Sequence, residues 1–176
     1  MVINLIAMDL NKMIERAKSS PFQMKIFNFG LSRMIPFNRP HGFRVVEIKD
    51  ESIRTKLPYK KINFNHIRGL HACALATLSE FTTGLMLLTK CNPKKYRIIL
   101  QKLEIEYLYQ GKCDAYAEFK FSENWLNEHV IIPLEKDEST IVDCEVKIID
   151  DKQNHLTTAH VFWQLKEWSK VRTKVN

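Results

Sequence analysis

Apolar and polar residues alternate along several stretches of this chain, as they do in strands with one face in a core and the other in solvent. The alternation is clearest where Leu103, Ile105, Tyr107 and Tyr109 share one face and charged residues occupy the other. The predicted strands cover residues 44–48, 52–57, 102–109, 113–120, 142–148 and 156–168. Short polar segments at 49–51, 110–112 and 150–154 predict tight turns between neighbouring strands.

Two other stretches predict helices. Residues 69–88 are apolar without alternating, which predicts one long buried helix, and Glu80 is their only charged residue. The first forty residues predict a partly amphipathic helical leader, with Leu5, Met8, Met13 and Ala17 at roughly helical spacing. The segment 35–42 contains two prolines and a glycine and ends this leader. Residues 121–130 predict a further short helix capped by Ser122.

The order of these elements predicts the fold. A helical leader, residues 1–41, precedes a domain, residues 42–176, that contains two strands, the long helix and four more strands. Strands joined by short turns run antiparallel. An antiparallel sheet and a single apolar helix bury each other most economically when the sheet curls around the helix. We therefore expect an α+β fold with the helix as its filling.

Length and cysteine content place the chain among ordinary intracellular proteins. A chain of 176 residues fits one domain with a substantial core. Its four cysteines form no Cys-x-x-Cys pair, so we expect no zinc or redox motif, and reduced thiols in a cytoplasm are the simplest interpretation. The apolar start, residues 2–8, has no preceding basic residue and does not resemble a signal peptide. Residues 69–89 are interpreted as a core helix rather than a membrane span.

Charge indicates an anionic partner. The formal net charge is +7 with a pI near 9.2, which does not choose among nucleic acid, a membrane surface and a phosphorylated ligand. Nucleic acid is the least favoured, because the sequence shows no recognition helix, aromatic RNA motif or dense arginine stripe. Residues 90–102 contain five cations and no acid, which either form an anion site or simply face solvent. These cations are Lys90, Lys94, Lys95, Arg97 and Lys102.

Glu80 is the residue of greatest chemical interest. A carboxylate is rarely buried without a partner, and its helical neighbours Ala76, Thr77 and Thr83 cannot neutralise it. Glu80 must therefore emerge at a cleft or interface or be buried with a raised pKa, and either environment suits a general base or nucleophile. The alternative is a structural carboxylate bonded to a buried group. His71 lies about 13 Å away along the helix and on its other side, so a site that uses both residues needs an antiparallel partner chain. The alternative is that His71 is a residue at the N-terminus of the helix that bonds a nearby carbonyl.

Asn65, then His71 six positions later, then Glu80 nine positions after that resemble the motif of hotdog-fold thioesterases of the phenylacetyl-CoA type. The segments Ile35-Pro36-Phe37-Asn38 and Pro40-His41-Gly42 resemble a hotdog subfamily of unassigned function. The resemblance implies a hotdog fold and a homodimer, or a dimer of dimers. It also implies hydrolysis of an acyl-CoA thioester without any cofactor.

The resemblance further implies roles for individual residues. Glu80 would activate water or attack the carbonyl, Asn65 would orient water or thioester, and His71 would complete the site. The N–H groups around the helix start would polarise the carbonyl; the candidates are Gly69, Leu70, Ala72 and Cys73. A coenzyme A ligand needs cations for its phosphates: Lys94, Lys95 and Arg97 form the best exposed group, and Arg54, Lys56, Lys60 and Lys61 form another. Tyr107, Tyr109 and Trp163 are candidates to line an acyl slot.

The motif departs from the family pattern at one place. Ala72 and Cys73 replace the two glycines that follow histidine in the family, and side chains there narrow the approach of a ligand to the backbone. The alternative function is therefore a non-catalytic acyl-CoA or lipid-binding protein of the same fold. Cys73 is more readily interpreted as a small hydrophobe than as a nucleophile.

Overall fold

The computed structural model describes residues 2–171, and their side chains from residue 10 onward. Six helices and six strands follow one another in the order that the sequence predicts. The helices are α1 (Val2–Ser19), α2 (Pro21–Met34), α3 (Asn38–His41), α4 (Ala72–Lys90), α5 (Glu123–Leu126) and α6 (Ile132–Lys136), the last two joined by a π-helical turn. The strands are β1 (Arg44–Ile48), β2 (Ser52–Leu57), β3 (Tyr96–Tyr107), β4 (Ala115–Lys120), β5 (Ser139–Asp150) and β6 (His155–Glu167).

All six strands form one antiparallel sheet in the order β1-β2-β4-β5-β6-β3. Helix α4 contacts β2, β3, β4, β5 and β6, so the sheet wraps around it. The predicted α+β fold with one central helix is confirmed. Alternation creates this wrapping, because every second residue of β5 and β6 is buried toward the helix while its neighbours face outward.

Close contacts fix α4 inside the sheet. Trp163 of β6 crosses the helix at Gly84, where an added Cβ would lie 2.6 Å from the indole ring. The indole N–H donates a 2.9 Å hydrogen bond to Thr83 Oγ1, and the hydroxyls of Thr55 and Thr82 are 2.6 Å apart. Buried polar groups on α4 thus find partners within the core, as burial requires. Trp163, a candidate for the acyl slot, is a core residue in this structure.

Several predicted bounds shift: the helix predicted at 121–130 extends through α6 to Lys136, β5 is longer than predicted, and the starts of α4 and β3 move most. Helix α4 begins at Ala72 rather than at Gly69, because His71 accepts a hydrogen bond from the N–H of Cys73 and caps the helix. Strand β3 begins at Tyr96, six residues earlier than predicted. It lies at the sheet edge and is irregular between Leu100 and Lys102, so its first half does not alternate in burial.

The leader forms the predicted helices and packs onto β1. The buried side of α1 consists of Leu10, Ile14 and Ala17, with Met13 only half-buried, while the side chains of Leu5 and Met8 lie outside the described residues. Phe27 and Leu31 of α2 join the same core as the sheet and α4. The division into a leader at 1–41 and a domain at 42–176 remains a prediction.

One described helix, α4, has the length and apolarity that a membrane span needs. Most of it is buried inside the fold, with 61% of its most apolar window covered. Because the sheet surrounds it, its apolar residues form the core of this domain.

Candidate functional site

The two halves of α4 have different surroundings. From Phe81 to Leu87 every side chain is buried. In the first half, Ala72, Cys73, Ala76, Thr77 and Glu80 remain at least partly accessible. These five residues fall within about 140° of the helix circumference, since successive residues turn by about 100°. They form one open face, which we call the open face of α4.

Glu80 ends this open face. Its side chain is partly buried, and burial raises the pKa of its carboxyl above the ordinary value. Neither a hydrogen-bonding group nor a cation pairs with the carboxylate among the residues that the structure describes. A carboxylate that has lost water and gained no partner is a stronger base than one in solvent. The sequence left open whether Glu80 is accessible or buried with a raised pKa; in the structure its side chain is only partly buried, and that burial raises its pKa.

The backbone N–H groups at the start of α4 are mostly occupied. Gly69 N–H donates to Asn65 Oδ1 at 2.9 Å, Leu70 N–H to the Gly111 carbonyl at 2.8 Å, and Cys73 N–H to His71 Nδ1 at 3.1 Å. The N–H of Ala72 meets no acceptor in the described part of the chain. Of the four candidate donors, Ala72 is thus the one with a free N–H at a helix N-terminus, where partial positive charge accumulates.

Asn65 shapes the loop before α4. Its Oδ1 accepts hydrogen bonds from the N–H groups of Ile67 and Gly69, at 3.1 and 2.9 Å. Arg68, between them, has the left-handed backbone angle φ of 59°, which this tight loop requires. The oxygen of Asn65 is committed to the loop, so its amide nitrogen is the group left to meet a ligand.

Two clefts flank the start of α4. Cleft A, about 260 Å³, lies between the leader and the helix. Its walls include Phe37, His41, Phe43, Phe64, Cys73 and Thr77. Cleft B, about 430 Å³, lies between the helix and the end of β3. Its walls include Asn65, Leu70, Ala72, Tyr107, Tyr109 and Gly111.

The clefts divide the predicted site residues between them. Cleft B contains Asn65, Leu70 and Ala72, whereas cleft A contains His71 and Cys73. Cys73 and Glu80 project from nearly the same side of α4, because seven residues amount to almost two full turns. Both clefts thus adjoin the open face of α4, and both present mainly apolar walls that suit an acyl chain.

The predicted phosphate-binding residues lie far from this helix start within one chain. Lys94 and Lys95 are exposed in the loop that follows α4. Helix α4 has 19 residues, so its length of about 27 Å separates these lysines from Ala72. Lys95 is 3.6 Å from Glu167, and Arg97 donates to the Gln164 side chain at 3.1 Å. One protomer therefore does not bring Lys94 and Lys95 to Ala72.

Three residues contribute to the site through contacts that the sequence did not predict. Asn63 is fully buried, and its side chain bonds to His41 Nδ1 and to the carbonyls of His41 and Pro58, while its own carbonyl accepts from His71 N–H. Tyr107 Oη donates to the Ala72 carbonyl at 3.0 Å, and burial raises the pKa of this phenol. His41 itself, from the leader, lines cleft A. The sequence signals for them were the family-like segment around His41 and the place of Tyr107 among the acyl-slot candidates.

The described residues offer no obvious metal site. Within residues 2–171, no three His, Cys, Asp or Glu side chains converge as metal ligands would. The cysteines are free, and burial raises the pKa of Cys91 to about 12.

Comparison with solved structures identifies the fold. A protein of unknown function from Pseudomonas aeruginosa, described as a probable thioesterase, matches with a TM-score of 0.73 at 20% identity, covering 80% of this chain and 93% of that one. A protein of unknown function from Chlorobaculum tepidum matches at 0.68 and 12%, covering 85% and 98%. A thioesterase from Haemophilus influenzae matches at 0.62 and 9%, covering 80% and 90%. These similarities confirm the predicted hotdog fold.

Sequence comparison identifies the family but not an activity. No curated protein sequence matches the chain significantly. A family model described as a domain of unknown function, DUF4442, matches residues 23–165, which include most of α2, all of β1 to β5 and β6 except its last two residues. The match agrees with the predicted resemblance to a hotdog subfamily of unassigned function. The chain therefore belongs to the DUF4442 family and has the hotdog fold.

Proposed function

We propose that this protein is a thioesterase-like hydrolase that acts on acyl-CoA thioesters as a homodimer. The observation that carries the proposal is Glu80, a desolvated carboxylate without a partner among the described residues, on the open face of α4. Several solved proteins of similar fold are described as thioesterases, which favours this chemistry over others.

The reaction needs a base and an electrophilic site next to each other. Water adds to the thioester carbonyl while Glu80 takes its proton, and the C–S bond then breaks to release a carboxylic acid and a thiol. Direct attack by Glu80, followed by hydrolysis of the anhydride, gives the same products. The free N–H of Ala72 is the candidate donor for the developing oxyanion.

The distance between these two groups requires a second chain. Ala72 and Glu80 are eight residues apart, about 12 Å along α4, so they cannot serve the same carbonyl within one protomer. If two copies of α4 cross antiparallel about a twofold axis at Ala76, Glu80 of each chain comes level with Ala72 of the other. Ala76 is small and partly accessible, which permits close approach of the two helices.

Strand β3 offers the surface for such a dimer. It is one of the two edge strands, 12 residues long, and apolar side chains on it and just after its end are exposed. Tyr107, at its end, donates a hydrogen bond to the Ala72 carbonyl and so connects this edge to the start of α4. A long unprotected edge strand pairs readily with another strand. The exposed apolar group consists of Ile99, Leu100, Tyr107, Leu108 and Tyr109.

The same dimer would add cations that can bind the phosphates of coenzyme A. In the antiparallel arrangement the end of each α4 projects about 15 Å beyond the other's start, so Lys94, Lys95 and Arg97 of one chain lie past the helix start of the other. We propose that these cations bind the phosphates across that span. We also place the protein in the cytoplasm, in keeping with its free thiols.

A non-catalytic acyl-CoA-binding protein is the second candidate. It is favoured by the side chains of Ala72 and Cys73, which are exposed at the helix start where the resembled motif has glycines. Their methyl and thiol groups reduce the space for a carbonyl near the Ala72 N–H.

Thiol release from short, medium, long and aromatic acyl-CoAs tests the proposal. We expect the native protein to release thiol from at least one acyl-CoA, and Glu80→Gln to lower that rate by about 10²- to 10⁴-fold at unchanged oligomeric state. Glu145→Gln is the matched control, because Glu145 is exposed on the outer face of β5. Its rate should equal that of the native protein.

Two results would contradict hydrolysis by Glu80. Release that persists in Glu80→Gln would remove this carboxylate from the chemistry. Tight acyl-CoA binding without release from any member of the panel would support the binding protein instead. Size-exclusion chromatography with light scattering tests the dimer separately, and a monomer would contradict the cross-subunit site.

A further inference from the structure

The outward face of α2 is apolar, although it does not face the core. Phe22, Ile26 and Phe29 are 69, 47 and 61% exposed. At about 100° per residue these side chains and Arg33 fall within about 60° of the helix circumference, directly opposite the buried Leu31. A helix on the surface of a globular protein normally places polar residues there. We call Phe22, Ile26 and Phe29 the α2 stripe.

The chain segment that contains the α2 stripe carries a single sign of charge. Between Glu15 and Glu47 the sequence contains six cations and no acidic residue. These cations are Arg16, Lys18, Lys25, Arg33, Arg39 and Arg44. Lys25 and Arg33 are exposed on α2 itself, and the Arg33 guanidinium lies 4.7 Å above the ring of Phe29. Neither of these two forms an ion pair with any side chain that the structure describes.

We propose that the α2 stripe binds the surface of an anionic lipid bilayer. Phe22, Ile26 and Phe29 would enter the boundary between headgroups and acyl chains, and Lys25 and Arg33 would meet anionic headgroups. Helix α2 has 14 residues, too few to span a bilayer, so it would lie in the plane of the interface. The inference does not depend on the proposed hydrolysis, because none of these side chains lines either cleft.

Charge favours a bilayer over a second copy of the chain. A twofold contact would place the α2 stripe against itself, so that Lys25 and Arg33 of one copy faced the same cations of the other. Such like-charge contacts oppose association, whereas a surface of anionic lipid attracts each of them by its own field. The net charge of +7 adds to that attraction at longer range.

Sedimentation of the full chain with vesicles tests the proposal. We expect it to sediment with phosphatidylcholine vesicles that contain one third phosphatidylserine, much less with pure phosphatidylcholine, and progressively less as salt is added. Lys25→Gln with Arg33→Gln should weaken binding about thirtyfold. Phe22→Ser with Phe29→Ser should weaken it at least tenfold. The control pair is Ile132→Ser with Ile141→Ser, two exposed apolar residues outside α2, and it should bind like the native protein.

Three outcomes would overturn the inference. The native protein could remain in the supernatant with anionic vesicles, or the Phe22 and Phe29 pair could leave binding unchanged. Alternatively, the Phe22 and Phe29 substitutions could alter the oligomeric state while the native protein does not bind vesicles. The α2 stripe would then be a contact between chains. A Phe22→Trp variant locates the contact directly, since brominated acyl chains should quench its added fluorescence and not that of the native tryptophans.

Discussion

Helices α2 and α4 are both rich in apolar residues, yet the fold covers them very differently. Helix α4 has eleven buried residues, because five strands of the sheet pack against it. Helix α2 has two buried residues in the described structure, Phe27 and Leu31, and presents Phe22, Ile26 and Phe29 outward. The more apolar of the two helices is therefore the better hidden one.

The comparison shows that apolarity along a helix does not indicate what will cover it. Helix α4 is long and apolar enough to span a membrane. It forms the core here because strands with alternating apolar residues form a sheet that surrounds it. The elements that pack most against α2 are α1, β1 and the short α3, and its outward side stays open. Charge follows the same division, with a desolvated carboxylate on α4 and solvated cations on α2.

Truncating one side chain on each helix should give the largest difference between them in the free energy of unfolding. Leu78 of α4 is fully buried, so Leu78→Ala should lower the free energy of unfolding by about 2–5 kcal/mol. Ile26→Ala on the outer side of α2 should change it by less than about 0.5 kcal/mol. Urea denaturation followed by circular dichroism measures both. A comparable loss at Ile26 would mean that another protein surface covers the α2 stripe.

Adding a methyl group to a glycine should have opposite effects on the two helices. An added Cβ at Gly84 meets the rigid, hydrogen-bonded ring of Trp163 at 2.6 Å, so Gly84→Ala should cost about 1–3 kcal/mol even though alanine favours a helix. At Gly30 the nearest atom is the flexible end of Met13, at 2.9 Å. Gly30→Ala should therefore gain up to about 1 kcal/mol. Thermal melts of both variants check the sign, and stabilisation at Gly84 would contradict the close approach.

Sequence patterns predicted the sheet better than its edges. Strands β1 and β2 have the predicted bounds because a short polar turn separates two clear runs. Strand β3 was predicted too short, since an edge strand with a bulge at Leu100/Lys102 has no buried face to impose alternation along its first half. The start of α4 was placed three residues early, because the hydrogen bond that caps the helix depends on the side chain of His71.

The candidate site was predicted only in part, for a similar reason. Glu80 could be found because a lone charge within an apolar run is visible in the sequence. Asn63 and the hydrogen bond of Tyr107 to Ala72 could not, because they depend on contacts with His41 and Ala72, which are distant in sequence. The occupied N–H groups of Gly69 and Leu70 depend likewise on the folded loop around Asn65 and on Gly111.

The smallest expected effect on stability comes from Glu80, the one carboxylate of α4. Burial raises the pKa of Glu80 in the folded state above the value of 4.5 for a free side chain. The folded protein therefore binds a proton more tightly than the unfolded chain, and stability falls as pH rises through the folded pKa. Glu80→Gln lacks this dependence. The two proteins should be most alike below pH 4.5, and the variant should become the more stable one as Glu80 ionises.

Denaturation at a series of pH values measures this difference, with Thr77→Val as a control on the same open face that carries no ionisable group. If the native protein instead gained stability over Glu80→Gln with rising pH, the carboxylate would have a partner in the assembled protein and would be structural. Under the proposed chemistry, thioester hydrolysis should rise with pH across the same interval in which the native protein loses stability, since the ionised form of Glu80 is both the costly form and the active base. Coincidence of the two profiles would tie the destabilisation to function.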